Sequence, residues 1–503
     1  MKILNSSQIR QSDAYTIEHE PISSIDLMER AAGKCFEWIK NKIEKTSKIK
    51  VICGLGNNGG DGLVIARLLL KAGYDTDVII LRHTDKSSED FKINEERLKK
   101  LKKKNIVEVK EISEFPLLKD DDVIIDAIFG SGLTKPIEGM VSEVVEKINK
   151  CRGYVLSIDL PSGLFSEDNS LNNYKAIINA DMTLTFQVPK LSFLLPENYK
   201  YIGEWTLIDI GLDRAFIESL DSQYYFVEEN DIRQMLKPRS KFSHKGNFGH
   251  ALLISGSYGK IGASILAARA CLRSGVGLIT AHIPKVGYEI IQKAVPEAMV
   301  SLDESEEFIS SLPDTTKYNS IAIGPGIDIK EETQKLLKLL IQNSSIPLII
   351  DADALNILSE NKTWLLFLPK GCILTPHPKE FERLAGKPEN DIHRLQLQKE
   401  FSVKFGVYII YKGAYSTIST PDGKYFFNST GNPGMSTGGS GDVLTGILLG
   451  LKACGYSSLE TCILGTYLHG LAGDNAKEKI GEESLIASDI IDSLSDAFLS
   501  FRR

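Results

Sequence analysis

The segment of residues 432–442, NPGMSTGGSGD, carries the residue types in this sequence that are best suited to chemistry. Its four glycines precede Asp442, which is followed by an apolar run from Val443 to Leu451. Glycines let backbone N–H groups close around an anion, and the first turn of a helix adds partial positive charge. A carboxylate beside a bound phosphoryl group can take the proton from an attacking hydroxyl. The segment therefore predicts an anion site with Asp442 as the base, against the simpler alternative of a capped helix start on the surface.

Three polar loops in the first half of the chain, residues 56–62, 126–136 and 159–163, each lie at the end of a short apolar run. The carboxyl ends of parallel strands meet at one edge of a sheet, and ligands bind there. Asp126 and Asp159 each lie within such a run, where an acid is either hydrogen bonded for structure or part of a site. Because two acids are predicted at the same edge, a site is the favoured interpretation.

The second half of the chain offers further polar residues at predicted strand ends. Lys412 and Gly413 could place a cation and a bare backbone beside a polyphosphate. His377 lies between two prolines, and its residue type leaves a structural role and a ligand-binding role equally open. Asp351 and Asp353 follow another apolar run, where they could simply cap the next helix.

The elements that must position these residues are short apolar strands alternating with helices. In the first half we predict a helix from Ser6 or Ser7 to about Lys45 with a break near Pro21, further helices over 63–72 and 88–104, and strands over 51–53, 77–81, 107–109, 123–129 and 155–160. In the second half we predict a connector over 224–238, a small-residue helix over 263–274, and strands over 251–254, 277–282, 320–323, 347–350, 373–375, 407–413 and 424–427. This alternation predicts mostly parallel sheets with helices on both faces.

Length and composition limit the class of protein. A chain of 503 residues exceeds what one hydrophobic core normally covers, so we expect at least two domains. The net charge of −7 gives no general attraction to nucleic acid. Seven scattered cysteines without a Cys-x-x-Cys pair indicate a reducing compartment and no structural zinc site. With no long apolar stretch at the N-terminus, we expect a cytoplasmic protein without a membrane partner.

Taken together, the motifs resemble those of the NAD(P)HX repair enzymes, where NAD(P)HX denotes hydrated NAD(P)H. The loops NNGGDG (57–62), DAIFGSGL (126–133) and DLPSG (159–163) resemble the epimerase domain of that family. Segments that resemble its dehydratase domain are 244–250, 324–326, 375–381, 412–413 and 432–442. The resemblance covers nearly the whole chain. It implies an α/β chain of two domains, an N-terminal Rossmann-like three-layer sandwich over 1–215 and a C-terminal ribokinase-like domain over 225–503.

For the first domain, the resemblance implies interconversion of the R and S forms of the hydrate, with Asp159 as the proton-transfer residue. It implies that the hydrate is bound by Asn57, Asn58, Gly59, Gly60, Asp61, Gly130, Ser131, Gly132, Leu133, Thr134, Lys135, Pro136 and Asp159. It also implies a potassium ion held by Asn58, Asp126 and Ser162.

For the second domain, the resemblance implies dehydration of the S form after phosphorylation of its hydroxyl, with Asp442 as the base. The hydrate would contact Ala263, Gly326, His377 and Asp442. The nucleotide would be bound by Lys412, Gly413, Ala414, Tyr415, Ser416, Gly438, Gly439, Ser440 and Gly441. We expect magnesium as the divalent ion and ADP as the phosphoryl donor, with ATP left open.

Two rival interpretations fit part of the sequence. A small-molecule kinase fused to a binding domain explains the glycine-rich segment and Asp442 but leaves the three loops of the first half unexplained. Alternatively, the first domain is a non-catalytic binding module. The partners we expect are NADHX or NADPHX and an adenine nucleotide, without nucleic acid, in a homo-oligomeric assembly.

Overall fold

The protein is described by a computed structural model that covers residues 1–101 and 105–502. The chain divides into two compact units. One comprises Lys2–Ser222, and the other comprises Gln223–Arg503 together with Met1. Each unit is built around its own sheet, so the prediction of a two-domain α/β chain is confirmed.

The described residues of the N-terminal unit form a seven-stranded sheet in which every pairing is parallel. Its strands are β1 (Lys48–Cys53), β2 (Asp75–Leu81), β3 (Ile106–Val109), β4 (Val123–Ala127), β5 (Tyr154–Ile158), β6 (Met182–Phe186) and β7 (Glu204–Ile208). They are ordered β3-β2-β1-β4-β5-β6-β7, so the strand order reverses between β1 and β4. Ligands of open α/β sheets bind at the carboxyl ends of strands next to such a reversal.

Helices cover this sheet, which gives the unit its layered, Rossmann-like form. They are α1 (Ser6–His19), α2 (Ser24–Lys42), α3 (Asn57–Ala72), α4 (Glu89–Lys99), α5 (Gly139–Lys150), α6 (Tyr199–Ile202) and α7 (Arg214–Ser219). The break near Pro21 is the one that separates α1 from α2. The helix predicted over 88–104 corresponds to α4, and residues 102–104 lie outside the described part of the chain.

The start of α3 differs from the prediction. We expected a glycine-rich turn followed by a helix from Leu63, but the helix already begins at Asn57. The glycines permit close packing of its first turns. A Cβ at Gly59 would overlap the carbonyl oxygen of Gly54, and one at Gly62 would lie 2.6 Å from the Cβ of Ala127. The segment 57–62 is therefore a helix start packed against β1 and β4 rather than a glycine-rich turn.

Strands β6 and β7 were not predicted. Their sequences, MTLTF and EWTLI, each interrupt three apolar residues with two polar ones, and most of β7 is only half-buried. We searched for continuous apolar runs, which mark strands covered on both faces. Strands with a weaker apolar signal at the end of the sheet escape that criterion.

The described residues of the C-terminal unit form a ten-stranded sheet with the order β11-β10-β9-β12-β13-β14-β15-β16-β17-β8. The strands are β8 (Tyr224–Phe226), β9 (His250–Ile254), β10 (Leu278–Ile283), β11 (Met299–Leu302), β12 (Ser320–Ile323), β13 (Leu348–Ile350), β14 (Ile373–Leu374), β15 (Tyr408–Tyr411), β16 (Thr417–Ser419) and β17 (Tyr425–Phe427). Pairing is parallel from β11 to β15 and antiparallel at β15–β16 and β16–β17. The prediction of a mostly parallel sheet is confirmed.

Two separate apolar cores cover the two faces of this sheet. The helices are α8 (Glu229–Met235), α9 (Ile261–Arg273), α10 (Tyr288–Ala294), α11 (Glu331–Asn343), α12 (Ala352–Glu360), α13 (Pro378–Ala385), α14 (Asp391–Phe405), α15 (Ser440–Ala453), α16 (Ser458–Ile480) and α17 (Ala487–Leu499). The connector predicted over 224–238 is wrong, because it contains β8 and α8. Strand β8 has only three residues, and its charged surroundings hid it.

Helices α9 and α15 meet along a seam of small residues. A Cβ at Gly446 of α15 would overlap the carbonyl oxygen of Ala267 in α9, and one at Gly450 would lie 2.7 Å from the carbonyl oxygen of Cys271. The small-residue helix predicted over 263–274 thus packs closely against a neighbour, as its alanines indicated. This seam fixes the position of α15, whose first turn contains Asp442.

Within residues 1–101 and 105–502, no helix is both long and apolar enough to cross a lipid bilayer. All seven cysteines are free.

Candidate active sites

The N-terminal unit contains a cavity of about 630 Å³ at the carboxyl edge of its sheet. The predicted residues that line it are Asn57, Asn58, Asp61, Gly130, Ser131, Gly132, Leu133, Thr134, Lys135 and Asp159. Three residues predicted to bind the hydrate do not line the cavity within the described chain: Gly59, Gly60 and Pro136. Gly59 and Gly60 serve the packing of α3, because a Cβ at Gly60 would lie 2.7 Å from the sulfur of Met28. The structure thus brings most of this predicted set together in one concave site.

Asp159 has a constrained backbone at this edge. Its φ of 65° lies in the left-handed region, which non-glycine residues rarely adopt, and such strain is concentrated at functional sites. One carboxylate oxygen accepts a 2.8 Å hydrogen bond from the amide of Ser131, and the other lies 3.3 Å from the Nζ of the fully buried Lys190. Burial opposes ionisation of Asp159, but the charge of Lys190 and the Ser131 amide hold its pKa below the usual value.

The three residues predicted to hold potassium lie at neighbouring strand ends. The Ser162 hydroxyl donates to Asp126 at 2.5 Å, and the Ser162 amide donates to the same carboxylate at 2.8 Å. Asp126 is fully buried, and no cationic side chain lies within ion-pair distance of it in the described chain. Asn58 is 8% exposed, and neither atom of its amide has a hydrogen-bond partner among the described residues. A Cβ at Gly130 would contact both Asn58 and Asp159, so these two side chains flank the same backbone segment.

Two residues of this cavity region were missed. Asp13 of α1 lines the cavity, and burial followed by the charge of Asp159 raises its pKa to about 7. Lys190 donates to the carbonyl oxygens of Phe186 and Val188 at 3.0 and 3.1 Å beside Asp159. The sequence carries only weak signals for these two residues. Asp13 lies on the same predicted helix stripe as Ile9 and Ile17, and Lys190 follows Val188 by two positions.

In the C-terminal unit, the glycine-rich segment forms the start of α15. Gly439 adopts a φ of 90° as the residue before the helix, and Ser440 begins the helix, so Asp442 lies in its first turn. The first N–H groups of a helix lack partners within it and point toward any anion bound there. Asn432 anchors the other end of the segment, because its side-chain amide donates to Asp474 at 2.9 Å.

The Asp442 carboxyl is mostly enclosed, and this changes its proton affinity. Burial is the largest cause that raises its pKa to about 7, with a further contribution from the charge of Asp351. Lys412 acts in the opposite direction but does not cancel these effects. A carboxylate with a pKa near neutrality is a far better proton acceptor than an ordinary exposed aspartate.

Lys412 reaches the head of α15. Its Nζ would lie 3.5 Å from a Cβ placed on Gly441, and it donates to Asp351 at 2.9 Å. The second oxygen of Asp351 accepts a 2.7 Å hydrogen bond from Thr445 of α15. The sequence allows Asp351 to be a helix cap, and the residue does occupy the position before α12, but its side chain makes no capping hydrogen bond. It is the buried counter-ion of Lys412.

His377 is connected to the same cluster through Glu380. The residue caps α13, because its Nδ1 accepts from the amides of Lys379 and Glu380 at 3.1 and 3.4 Å. Its Nε2 lies 3.4 Å from Glu380, whose other oxygen is 3.9 Å from Lys412. The capping hydrogen bonds give His377 a structural role. Nearly half of its side chain is nevertheless exposed, so it could also contact a ligand. Both interpretations of His377 are compatible with this geometry.

The other predicted residues for substrate and nucleotide fall into two groups. A Cβ at Gly326 would lie 3.4 Å from the Cβ of Ala263, so these two predicted contacts are neighbours. In the turn between β15 and β16, Gly413 and Ser416 hydrogen bond to each other and close the hairpin that carries Ala414 and Tyr415. Ser440 lies 3.3 Å from Nε2 of His469, a residue that the sequence did not single out. Burial lowers the pKa of His469 to about 4, so its ring is neutral.

The two units define a class of protein: an α/β enzyme with two largely parallel sheets and one polar site at the carboxyl edge of each. The bifunctional NAD(P)H-hydrate repair enzyme of Moorella thermoacetica is 34% identical to the chain over 98% of this chain and 96% of the relative. The chain therefore belongs to the family of bifunctional NAD(P)H-hydrate repair enzymes.

Matches to each half agree with this assignment. A family model described as NAD(P)H-hydrate dehydratase matches residues 251–495, and one described as YjeF-related protein N-terminus matches residues 24–192. The Bacillus subtilis ADP/ATP-dependent NAD(P)H-hydrate dehydratase, co-crystallised with ATP and Mg²⁺, is 31% identical with a TM-score of 0.50 and covers 55% of this chain and 98% of its own. A ribokinase-like superfamily protein from Enterococcus faecalis is 29% identical, has a TM-score of 0.50, and covers 56% of this chain and 98% of its own. The predicted family, its bifunctional nature and the ribokinase-like C-terminal fold are confirmed.

Proposed function

We propose that residues 1–215 interconvert the R and S forms of hydrated NADH and NADPH, and that residues 225–503 dehydrate the S form at the expense of ADP or ATP. The observation that carries the proposal is the Asp442 carboxyl, which lies in the first turn of α15 with a pKa of about 7, in the electrostatic environment of Lys412. A base at a helix start that can bind an anion suits phosphorylation of a hydroxyl.

The dehydration follows from the residues around α15. Hydroxide is a poor leaving group, whereas phosphate is a good one. Asp442 takes the proton of the hydrate's hydroxyl, whose oxygen bonds to the phosphorus as the bond to the nucleotide breaks. The N–H groups of Gly438 to Gly441, with Lys412, stabilise the charge on the transferred group. The electron pair of the ring nitrogen then expels phosphate, and loss of a proton from the adjacent carbon restores the double bond of NAD(P)H.

The residues around α15 suit a magnesium ion that is bound mainly through the nucleotide. The similar Bacillus subtilis enzyme was crystallised with ATP and Mg²⁺. Within the described residues, no three His, Cys, Asp or Glu side chains converge as a metal site. Magnesium commonly keeps its waters and binds through phosphates and one or two carboxylates. These residues therefore suit an ion carried by the nucleotide, where it would offset phosphate charge, with Gly413, Ala414, Tyr415 and Ser416 beside the nucleotide tail.

In the N-terminal cavity, Asp159 is the proposed proton-transfer residue. Its ionised carboxylate is held by Lys190 and Ser131 and faces the space bounded by Asn57, Asp61 and the segment 130–135. The residues also fit a potassium ion. The unpartnered amide oxygen of Asn58, the unneutralised carboxylate of Asp126 and the Ser162 hydroxyl are oxygen donors of the kind that hard cations prefer. The ion would neutralise that buried charge and order the edge of the cavity.

The test uses the full-length protein and a mixture of R and S hydrates, with restored NADH followed by its absorbance. With ADP or ATP, we expect all of the hydrate to be converted. Without nucleotide, we expect none. Replacing potassium by a larger organic cation should slow conversion of the R fraction while the S fraction is still consumed.

Other outcomes would overturn the proposal in part. A stable phosphorylated product without NADH would indicate the kinase alternative. Consumption that stops at the S fraction would indicate that the first unit is a binding module. We also propose a homo-oligomer, which analytical ultracentrifugation of the same sample checks.

A further inference from the structure

Helix α1 contributes a wall of the N-terminal cavity, and its one acidic lining residue is Asp13. Apolar side chains surround it on the same wall, because Ile9 and Ile17 lie one turn away in either direction and also line the cavity. Asp13 is therefore a carboxyl set among apolar groups and exposed to the space that would hold the hydrate.

The space itself has the features of a ligand site. Asn58 is more than nine-tenths buried and lines the cavity, yet neither of its amide atoms is hydrogen bonded within the described chain. Asp159 faces the same space with its carboxylate held by a fully buried lysine. Polar groups without partners at a cavity wall indicate that a ligand completes their bonding.

The two carboxyls have environments that favour opposite protonation states. Lys190 contacts Asp159 directly and holds its pKa below the usual value, whereas burial and the nearby charge of Asp159 raise the pKa of Asp13 to about 7. Pairs of carboxyls whose pKa values are pushed apart commonly supply the acid and the base of one reaction. The charged or titratable groups that face Asp13 across the cavity or beside it are Arg10, Asp61, Asp90, Lys135, Asp159 and Lys190.

Resting on the proposed epimerase function, we propose that the Asp13 carboxyl is the proton donor that works with the Asp159 carboxylate to invert the hydroxyl-bearing carbon of the hydrate. Asp61 is a weaker choice, because its site is almost closed and burial raises its pKa well above the usual value. A carboxyl whose ionisation is opposed so strongly suits a hydrogen-bond donor to the substrate rather than a group that exchanges protons in each turnover.

The step needs one base and one acid and returns both. The hydroxyl and the ring nitrogen share one carbon of the hydrate. Asp159 takes the hydroxyl proton, the electron pair of the O–H bond forms a C=O bond, and the carbon–nitrogen bond breaks. Its electron pair goes to the nitrogen, which takes the proton of Asp13. Rotation about the adjacent carbon–carbon bond presents the other carbonyl face. When the nitrogen bonds again, its proton returns to Asp13 and the oxygen recovers the proton held by Asp159.

The experiment uses full-length protein and purified R hydrate without nucleotide, with formation of the S form followed by chromatography. We expect Asp13→Asn to lower kcat about 100-fold or more with little change in KM. Asp13→Glu should recover the rate to within about tenfold of wild type. The wild-type kcat should fall as pH rises through about 7, because the donor must be protonated, and the residual rate of Asp13→Asn should lack that decline.

A matched control is Glu18→Gln, which makes the same chemical change on an exposed part of α1 and should leave epimerisation unchanged. Thermal unfolding checks that Asp13→Asn is folded. If wild type does not epimerise the R form, the proposed function fails. If wild type does so and Asp13→Asn keeps the rate and the pH profile, the assignment of Asp13 is overturned while the function stands. A raised KM with the pH profile intact would make Asp13 structural, and would also overturn it.

Discussion

Replacing Asp442 by Asn should remove the dehydratase activity and stabilise the folded protein at the same time. The carboxyl has a pKa of about 7 in the folded chain and an ordinary value of 3.8. This difference corresponds to about 4 kcal/mol, which is the cost of ionising Asp442 in the folded protein relative to the unfolded one. An asparagine carries no such cost, but it cannot accept a proton.

The sign of the pH dependence follows from proton binding. Between pH values of 3.8 and about 7, the folded chain binds more protons at this position than the unfolded chain. Wild-type stability therefore falls as pH rises through that range, and the full cost applies above it. The gain of Asp442→Asn should reach at most about 4 kcal/mol near pH 8, shrink to about 1.6 kcal/mol near pH 5, and vanish below the ordinary value. At roughly 2 °C per kcal/mol, the largest gain is several degrees in Tm.

The assay combines thermal unfolding at several pH values with dehydration kinetics on S hydrate. We expect kcat to fall about 10²- to 10⁴-fold in the variant with an unchanged KM for nucleotide. The wild-type kcat should rise with pH up to about 7 and then level off, because the base must be ionised. Asp492→Asn is the control, since it removes an equal charge from an exposed ion pair with Arg269 and should change stability by less than about 1 kcal/mol.

Two results would refute this reasoning separately. A variant that keeps more than about a tenth of the dehydration rate would show that Asp442 is not the base. A variant that is inactive but no more stable than wild type near pH 8 would show that ionisation of Asp442 does not destabilise the folded protein.

Three further substitutions test the remaining contacts. Gly59→Ala should destabilise the N-terminal unit and abolish epimerisation, because the added Cβ would overlap the backbone of Gly54. Dehydration of S hydrate should continue. Unfolding curves and the two activity assays check this. Asp159→Asn should stop epimerisation and, by leaving buried Lys190 without its counter-ion, cost about 3–5 kcal/mol of stability, so an unchanged Tm would contradict the buried ion pair. Lys412→Met should likewise destabilise the C-terminal unit by leaving Asp351 uncompensated, and it should raise the KM for nucleotide, whereas loss of kcat alone would speak against nucleotide contact.

The sequence predicted the parts of the fold that depend on local pattern. Apolar runs followed by glycine or acid located most strands of both sheets, and the glycine-rich segment before Asp442 located the head of α15. Short or half-polar strands such as β6, β7 and β8 were missed, because their stability comes from neighbours in the sheet rather than from their own residues. The start of α3 was misplaced, since glycine marks close packing as well as turns.

The same distinction applies to the sites. Residues within the glycine-rich motifs could be named in advance, because each motif is continuous in sequence. Asp13 and Lys190 could not, since they join Asp159 only when α1 and the segment after β6 fold around it. The pairing of Lys412 with Asp351, 61 positions apart, is also a product of topology. Ionisation states at both sites depend on such long-range neighbours.

The small-residue seam between α9 and α15 makes the chemistry depend on a surface that touches no ligand. Gly446 lies four positions, about one helical turn, from Asp442. A single added methyl group there would push α15 outward from the backbone of α9 and carry the carboxyl with it. Proton transfer tolerates displacements of only about 1 Å. The rate of dehydration should therefore depend on the spacing between α9 and α15. A substitution that contacts no substrate could abolish the activity by changing that spacing.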